Sequence, residues 1–379
     1  MGSEDSQSVA LDRPDTGDSA IHGLLQVMVS RSASDLHIKA GSPPGLRIDG
    51  TIRPTERPPL EPDEAEEMIR SILTDKQFRR FEREGDLDCA YSLRGLSRFR
   101  VNIFKQRGTM GMVVRAIPER VPEIDDLGLS PKCRAMAAKA RGLVLVTGPT
   151  GCGKSTTLAA LVDQVNQTRA GHIVTMEDPI EFVHEDKQSY VTQREIGSDT
   201  RDFASALRRA LRQDPDVIMV GEMRDLETIA LAVTAAETGH LVFATLHTTS
   251  AVQSVDRIID VFPPPQQQQT RMQLADALQA IFSQTLLPKI NGGVVVAQEV
   301  LIALDSVRAL IRDQKTHQLH NIMQTHAREG MQTLESALNA PVAKKVIAYE
   351  TAVAKANFPS QIEKSGRARR RPALKRGFS

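Results

Sequence analysis

The sequence is poor in the features that mark disulfide-stabilised, zinc-binding and nucleic-acid-binding proteins. Its 379 residues include three cysteines, three tyrosines and no tryptophan. Cys89, Cys133 and Cys152 are widely spaced and form no CxxC pair, which argues against a disulfide framework and a structural zinc site. The net charge of +1 gives no overall attraction for a polyanion, and few aromatic rings are present for bases to stack on. We therefore expect no specific nucleic-acid partner and a reducing compartment.

Long apolar runs are also missing. The longest are of the LVLV and VIMV kind, far below the roughly 18 residues that cross a bilayer. Residues 1–20 are small, polar and acidic, and they lack the basic start and apolar centre of a secretory signal. We expect a disordered leader there, a cytoplasmic location and no transmembrane segment.

The composition is that of a folded protein, with 40% hydrophobic and 25% charged residues, and the length suits two domains. Residues 21–118 mix both kinds of secondary-structure pattern. LHIKA and GLRIDG flank a turn, and RFRVNIF and GMVVRAIP are further strand candidates. Pro62 and the acids after it open a helix, in which apolar residues recur at helical spacing through Ile72 and Leu73. The pattern predicts a smaller α+β domain over 21–118, followed by a linker and lead-in helix over 119–141.

From Gly142 the pattern alternates between apolar strands and helices. GLVLV, HIVTM, DVIMV and HLVFATL have the composition of strands buried on both faces, which predicts an α/β core with a parallel sheet over 142–262. PPPQQQQ indicates a turn and polar linker before a helix near Thr270, so 263–358 is predicted to be helical. Residues 359–379 are basic with little apolar content, and we expect a mobile tail.

The segment GPTGCGKS at 148–155 has the spacing G-x-x-x-x-G-K-S between a strand and a helix. Its glycines allow backbone N–H groups and the helix N-terminus to converge on phosphates, Lys154 adds a positive charge, and the Ser155 hydroxyl can coordinate Mg²⁺. An ordinary glycine-rich turn, the alternative, needs neither of these two side chains. The predicted nucleotide-binding residues of the loop are Gly148, Pro149, Thr150, Gly151, Cys152, Gly153, Lys154, Ser155 and Thr156.

Acids at strand ends could supply the metal contact and the water activation that hydrolysis requires. Glu222 follows DVIMV, where the carboxyl edge of a parallel sheet opens toward a ligand, although a solvated loop acid is the alternative. Three further acids end the strand HIVTM, and from the residues alone a solvated loop explains them equally well: Glu177, Asp178 and Glu181. His240 and His247 flank HLVFATL, and spacing alone favours hydrogen bonds to neighbouring loops over contact with phosphate.

Four segments together resemble the boxes of the secretion-ATPase superfamily. They are GPTGCGKST (Walker A), TMEDPIEFVHE (Asp box), PDVIMVGEMRDLETI (Walker B) and AAETGHLVFATLHT (His box). Within that superfamily the chain most resembles PilT-type pilus retraction ATPases, from about Ser34 to Leu338. It has no four-cysteine metal site of the kind usual in pilus assembly ATPases, which favours retraction. The resemblance implies a RecA-like P-loop ATPase core preceded by a PAS-like domain, ATP and Mg²⁺ as cofactors, and a homo-hexameric ring.

The resemblance also implies roles for individual residues. It makes Glu222 the catalytic glutamate and a metal contact beside Ser155, with Glu177 also catalytic. The remaining residues of the Asp and His boxes would bind nucleotide: Asp178, Glu181, His240 and His247. Arg100 and Arg115 match arginines that reach the nucleotide from the N-terminal domain. In RFRVNIF, Arg100 lies on the polar face of a strand, and the alternative is a solvated strand face.

The resulting hypothesis is a cytoplasmic Mg²⁺-dependent ATPase motor that powers type IV pilus retraction and twitching motility. Its implied partners are an inner-membrane platform protein, which would place it at the membrane periphery, and possibly a paralogous retraction ATPase. The alternatives are a motor for type II or type IV secretion, or an accessory subunit that hydrolyses ATP poorly. SVRALIRD at 306–313 resembles the AIRNLIRE motif of retraction ATPases, and a packed amphipathic helix explains it equally well.

Overall fold

The structure, a computed structural model, describes residues 20–48, 50–117 and 120–364. The chain divides into two compact units. One comprises Met1–Arg120 with Glu181–Val183, and the other comprises Val121–Ile180 with His184–Ser379. Except for Ala20, the predicted leader lies outside the described residues, as does the part of the predicted basic tail at 365–379.

The first unit is built on one antiparallel sheet. Its elements are α1 (Ala20–Ser30), β1 (Asp35–Lys39), β2 (Gly45–Ile48), β3 (Thr51–Pro54), α2 (Pro62–Arg70), α3 (Asp75–Glu84), β4 (Asp86–Leu93), β5 (Ser97–Gln106) and β6 (Thr109–Ile117). The strand order in the six-stranded sheet is β3-β2-β1-β6-β5-β4. The predicted α+β composition of this segment is therefore observed.

Helix α2 begins at Pro62 as predicted, but it ends earlier than the helical spacing indicates. It stops at Arg70, and Ile72 is buried beyond its end. The reason is a capping box that starts α3: the Thr74 side chain accepts a hydrogen bond from the Gln77 backbone, and the Gln77 side chain accepts one from the Thr74 backbone. The prediction that helical spacing continues through Leu73 is wrong, because the chain there turns into a second helix.

The second unit is built on a seven-stranded sheet. Its elements are α4 (Lys132–Ala137), β7 (Gly142–Thr147), α5 (Lys154–Thr168), β8 (His172–Glu177), β9 (Tyr190–Glu195), α6 (Phe203–Ala210), β10 (Val217–Val220), α7 (Leu226–Glu237), β11 (Leu241–Leu246), α8 (Ala251–Asp260), α9 (Pro264–Ala277), β12 (Leu278–Pro288), β13 (Val294–Ile302), α10 (Asp305–Arg312), α11 (Leu319–Thr325), α12 (Leu334–Ala343) and α13 (Tyr349–Lys355). The strand order is β13-β12-β7-β11-β10-β8-β9. All neighbouring pairs are parallel except β12 with β13.

The four strands predicted from apolar runs, β7, β8, β10 and β11, are neighbours in the middle of this sheet. Every residue of β7 is buried. Leu143 and Leu145 enter one core cluster, while Val144 and Val146 enter the cluster on the opposite face. Burial on both faces explains the continuous apolar run. The predicted α/β fold class is confirmed.

The helical prediction for 263–358 is wrong in part, because β12 and β13 occupy 278–288 and 294–302. These strands carry buried polar residues that interrupt the apolar runs on which the prediction relied: Ser283, Gln284, Gln298 and Glu299. Helix α9 also begins before the expected Thr270. It starts at Pro264, since proline is tolerated in the first turn of a helix.

The first six residues of the predicted mobile tail, 359–364, are ordered against neighbouring helices. Ile362 is buried in a small cluster with helices α12 and α13. Asn339 holds the same segment by donating from Nδ2 to the Gln361 carbonyl at 3.0 Å and accepting from the Glu363 N–H at 2.8 Å. Residues 359–364 are therefore packed against the second unit.

Helix α10 carries the segment that resembles AIRNLIRE. Val307 and Ile311 are buried, and the Arg308 guanidinium donates to the carbonyls of Ala275 and Asp276 at the end of α9. Charged donors at a helix C-terminus satisfy carbonyls that lack helical partners. This packing accords with the amphipathic-helix explanation. No helix within 20–48, 50–117 or 120–364 combines the length and apolar character needed to cross a membrane.

The loop after β8 is fastened to helix α5 by a buried carboxylate. Asp163 of α5 lies 2.6 Å from Lys187 Nζ, accepts from Gln167 Nε2 at 2.6 Å and faces His184 Nδ1 at 3.9 Å. Burial by itself would raise the pKa of Asp163, but these hydrogen bonds and the Lys187 charge outweigh it and hold the pKa at about 2. The ionised form of Asp163 is thus favoured by folding.

We predict that Asp163→Asn unfolds more easily than the unsubstituted protein near pH 6, by about 1 kcal/mol, because it loses a charged hydrogen-bond acceptor. A carboxyl whose pKa is depressed on folding stabilises the protein above its unfolded pKa, and this contribution is lost as pH falls toward its folded pKa of about 2. Urea denaturation at pH 6, 4 and 3 measures the difference, which should shrink at the lowest pH. A difference that is constant with pH would contradict the assignment.

Candidate active site

The phosphate loop connects β7 to α5 through three glycines with positive φ angles. These angles are 141° at Gly148, 77° at Gly151 and 87° at Gly153, a region that side-chain-bearing residues rarely adopt. A Cβ at Gly148 would also collide with the backbone carbonyl of Gln284. Gly148 is therefore required both by backbone conformation and by close contact with β12, whereas Gly151 and Gly153 are required by backbone conformation.

Lys154 opens helix α5 directly after the loop. Its Nζ donates to the carbonyls of Gly148 at 2.9 Å and Pro149 at 3.1 Å, so the ammonium group is held over the loop. The first turn of α5 contains no acidic residue. Its free N–H groups and the positive end of the helix dipole act with the ammonium group to create a site for an anion. Ser155 and Thr156 lie in the same turn, half-buried.

Behind the loop lies a chain of buried amides that the sequence did not indicate. Gln284 of β12 donates to the Cys152 carbonyl at 2.8 Å and accepts from Thr157 Oγ1 at 3.1 Å. Gln298 of β13 in turn donates to Gln284 Oε1 at 3.4 Å and accepts from the Ser130 N–H at 2.8 Å. Because the two glutamines are almost fully buried, these bonds fix the back of the loop to two strands.

Cys152 contributes its backbone to the loop and not a reactive thiol. Burial raises the pKa of the Cys152 thiol, and the nearby Lys154 charge opposes that rise only in part. Its carbonyl is the acceptor for Gln284. Cys133 is also buried, and its pKa is raised to about 12. These thiols are protonated at neutral pH and act as small core side chains.

Glu222 lies just past the end of β10, where the sequence places it. One carboxylate oxygen is 2.8 Å from His247 Nε2, and the other is 2.7 Å from an Arg224 nitrogen. Burial would raise the pKa of Glu222, but the Arg224 hydrogen bond and the charge of His247 lower it on balance. The structure thus brings Glu222 and His247 together from neighbouring strands, and it adds Arg224, which was not predicted.

Glu177 is the last residue of β8 and is buried, not exposed in a loop. It accepts hydrogen bonds from Thr175 Oγ1 at 2.6 Å and Gln193 Nε2 at 3.0 Å. Asp178 follows it and is exposed, at the same end of the parallel sheet as the loop after β10. The charge of Asp178 contributes to raising the pKa of Arg224. These two acids therefore border the Glu222 cluster from the next strand.

Two predicted binding residues are not placed with this group. His240 precedes β11 and hydrogen-bonds through Nδ1 to the Ala235 carbonyl at 2.9 Å. The six residues of β11, at about 3.3 Å each, separate it from His247 by about 20 Å. Within a single chain, His240 lies at the opposite edge of the sheet from the phosphate loop, so its role in nucleotide binding stays a prediction. Glu181 is exposed and belongs to the short segment that groups with the first unit.

In the first unit, Arg100 and Arg115 lie directly opposite each other on β5 and β6, and both are exposed. Like charges in this position repel. The buried carboxylate of Asp35 offsets part of that repulsion by accepting from Arg115 Nε at 2.8 Å, while Asp88 is 4.0 Å from Arg100. Two adjacent guanidinium groups of which one is firmly anchored form a suitable surface for a phosphate group.

The residues present fit a magnesium ion that is bound mainly through nucleotide phosphates. In the described part of the chain, no group of three or more His, Cys, Asp and Glu side chains is arranged to hold a metal. Magnesium bound with a nucleotide needs only one or two protein oxygen ligands in addition to phosphates and water. The Ser155 hydroxyl and the Glu222 carboxylate are oxygen groups of this kind, and both lie at the same edge of the sheet.

Comparison with known proteins identifies the family. The family model described as "Type II/IV secretion system protein" matches residues 17–375. The chain belongs to this family. It is similar to the type IV pilus retraction ATPase PilT of Pseudomonas aeruginosa, with 50% identity over 339 residues, 89% of this chain and 98% of that protein. It is also 42% identical to the type IV pilus ATPase PilU of the same species, over 89% of each chain.

A solved structure of a type II/IV secretion system protein shares the fold. The crystal structure of the pilus retraction motor PilT with bound ADP superposes with a TM-score of 0.86 at 45% identity, covering 91% of this chain and 99% of that one. The resemblance to secretion ATPases inferred from four sequence boxes is confirmed. So is the predicted fold, a P-loop ATPase core preceded by a smaller domain.

We predict that Gln284→Leu weakens nucleotide binding without unfolding the protein. The substitution keeps the side-chain volume similar but removes the donor to the Cys152 carbonyl and the acceptor for Thr157. A lost buried hydrogen bond of about 1.4 kcal/mol corresponds to a tenfold weaker dissociation constant for ADP. Gln279→Leu, at the other end of β12, is the matched control. Equal ADP affinity of both variants in a fluorescence titration would contradict the role of Gln284.

Proposed function

We propose that the protein is a subunit of a hexameric, Mg²⁺-dependent ATPase motor that powers type IV pilus retraction. The observation that carries the proposal is the arrangement at one edge of the second sheet. There the phosphate loop follows β7, His247 follows β11, and Glu222 follows β10, in neighbouring strands. An anion site and an ionised carboxylate side by side are what hydrolysis of a nucleoside triphosphate requires. The predicted ATP hydrolase and its retraction function are confirmed by the similar proteins named above.

In the proposed mechanism, one group of residues binds the nucleotide phosphates and another assists proton transfer. The loop amides, the start of α5 and Lys154 hold the β- and γ-phosphates. When Mg²⁺ is bound with the nucleotide, Ser155 and Glu222 would hold it, and it would supply positive charge to the phosphoryl group. Glu222 takes a proton from water while the water oxygen attacks the γ-phosphorus, and the bond to the β–γ bridging oxygen breaks with its electron pair leaving on ADP. His247 keeps the Glu222 carboxylate oriented.

Arg100 and Arg115 supply the remaining charge in the proposal. In the ATPases that the sequence resembles, the matching arginines reach the nucleotide from the N-terminal domain. The hydrogen bond from Arg115 to Asp35 supports this role, because it holds the Arg115 guanidinium in place. Nucleotide-dependent contacts of this kind convert hydrolysis into domain movement around a ring. The ring would act on pilin through a platform protein of the inner membrane, from the cytoplasmic side.

A second candidate function, an accessory ATPase that supports another motor, is less well supported. Both Lys154 and Glu222 are present with their partners, so nothing in the second unit up to residue 364 indicates weak hydrolysis. A motor for type II or type IV secretion is the other alternative, and pilus retraction itself separates it from the main proposal.

We predict that Glu222→Gln lowers kcat for Mg²⁺-ATP by at least about 10²-fold, because an amide cannot accept the proton from water. The control is Glu237→Gln, a solvent-facing carboxylate on α7 that bonds only to Gln273 among the contacts described here. Phosphate release from the full-length protein measures both. Hydrolysis by Glu222→Gln at the rate of the control would refute the catalytic assignment.

The same two variants test retraction in cells. A strain whose own copy carries Glu222→Gln should extend pili but fail to retract them, and it should lose twitching motility. The strain with Glu237→Gln should twitch normally. Normal retraction in the Glu222→Gln strain would show that the protein is not the retraction motor, whatever its ATPase rate in vitro.

A further inference from the structure

The carboxylate of Glu222 is held at both of its oxygens. His247 Nε2 is 2.8 Å from one oxygen, and an Arg224 nitrogen is 2.7 Å from the other. Only 16% of the Glu222 side chain is exposed, whereas 62% of the Arg224 side chain is exposed. A largely buried carboxylate is therefore paired with an arginine whose own side chain is mostly exposed to solvent.

The loop that carries Glu222 and Arg224 is held in place by backbone hydrogen bonds and a helix cap. The Gly221 N–H donates to the Met176 carbonyl at 2.8 Å, and the Met223 N–H donates to the Thr245 carbonyl at 3.1 Å. Asp225 then caps helix α7 by accepting from the Thr228 N–H at 2.8 Å. Met223 is buried while Glu222 and Arg224 meet on the other side, as expected for residues two apart in extended chain. The Arg224 contact thus results from a fixed backbone.

An exposed ion pair usually contributes little to stability, about 0–1 kcal/mol. The Glu222 pair differs because its acid is only 16% exposed and lies at the reacting edge of the sheet, so the pair affects the orientation of the carboxylate. The charged groups around it are Arg224 on its own loop, His247 after β11, and Glu177 and Asp178 at the end of β8. Arg224 is the one among these four whose charge is positive at every pH of interest.

We propose that Arg224 is a positioning residue for hydrolysis, which holds one oxygen of Glu222 so that the carboxylate is correctly oriented when water attacks. The inference deepens the proposed function and rests on it. Arg224 neither gives nor takes a proton. The proton of the attacking water passes to Glu222, as in the proposed mechanism, and the guanidinium keeps its charge throughout. A carboxylate that rotates freely loses the alignment on which proton transfer depends.

The test compares Arg224→Gln and Arg224→Lys with Arg208→Gln in the full-length protein. Arg208 is a matched control, since it is an exposed arginine of the second unit that pairs with Glu227 instead of Glu222. We expect Arg224→Gln to lower kcat for Mg²⁺-ATP by about 10-fold or more, with KM changed less than about twofold. Arg224→Lys should recover much of kcat, because the lysine ammonium retains a charged donor.

The split between kcat and KM, together with rescue by lysine, separates positioning from a general structural effect. A loosened fold would weaken nucleotide binding as well and would not be restored by a lysine, whereas a misaligned carboxylate lowers kcat alone. Three results would overturn the inference: unchanged kcat in Arg224→Gln, raised kcat, or a fall in kcat that comes with an equal rise in KM or is not restored by Arg224→Lys. If the unsubstituted protein and Arg208→Gln also fail to hydrolyse ATP, the proposed function itself fails.

Discussion

The site depends on the position of β7 between two parallel neighbours. Parallel strands end at a common edge, so the loops after β7, β11 and β10 lie beside one another without any long connection. The strand order therefore sets the order of the functional groups along that edge: the phosphate loop, then His247, then Glu222. On its other side β7 pairs with β12, whose backbone at Gln284 leaves no room for a side chain at Gly148.

Charge in the second unit is arranged so that binding and proton transfer do not interfere. Lys154 donates to two carbonyls of the phosphate loop, and the first turn of α5 contains no acidic residue. The nearby carboxylate of Glu222 is paired with Arg224 and His247 instead. An ionised base can therefore stand beside an anion site without cancelling the positive charge that the phosphates need.

The central strands and the phosphate loop could be predicted because local patterns report them directly. Strands buried on both faces read as apolar runs, and the glycines and lysine of the loop are required by backbone conformation and charge. Strands β12 and β13 were missed because Gln284, Gln298 and Glu299 are buried in them, and polar residues obscure an apolar pattern. The partners of these side chains lie far away in sequence, so no local signal identifies them.

The individual site residues also differ in how far the sequence alone could predict their positions. Glu222 and His247 meet because their strands are neighbours, which the sequence pattern made plausible but could not establish. His240 lies at the start of β11, at the other end from His247. The motif covers the whole strand, so it does not show which of the two histidines lies on the side of the phosphate loop. Arg224 and Asp35 act through other charged residues, and such roles are visible only once the fold places the partners together.

The central claim is that the phosphate loop and Lys154 hold the triphosphate at this edge of the sheet. Isothermal titration of the full-length protein with ADP and Mg²⁺, compared with Lys154→Ala, tests it most directly. The account predicts saturable binding by the unsubstituted protein and a dissociation constant at least about tenfold weaker in Lys154→Ala, since the charge that faces the phosphates is lost. Equal binding by the two proteins, or no binding by either, would contradict it.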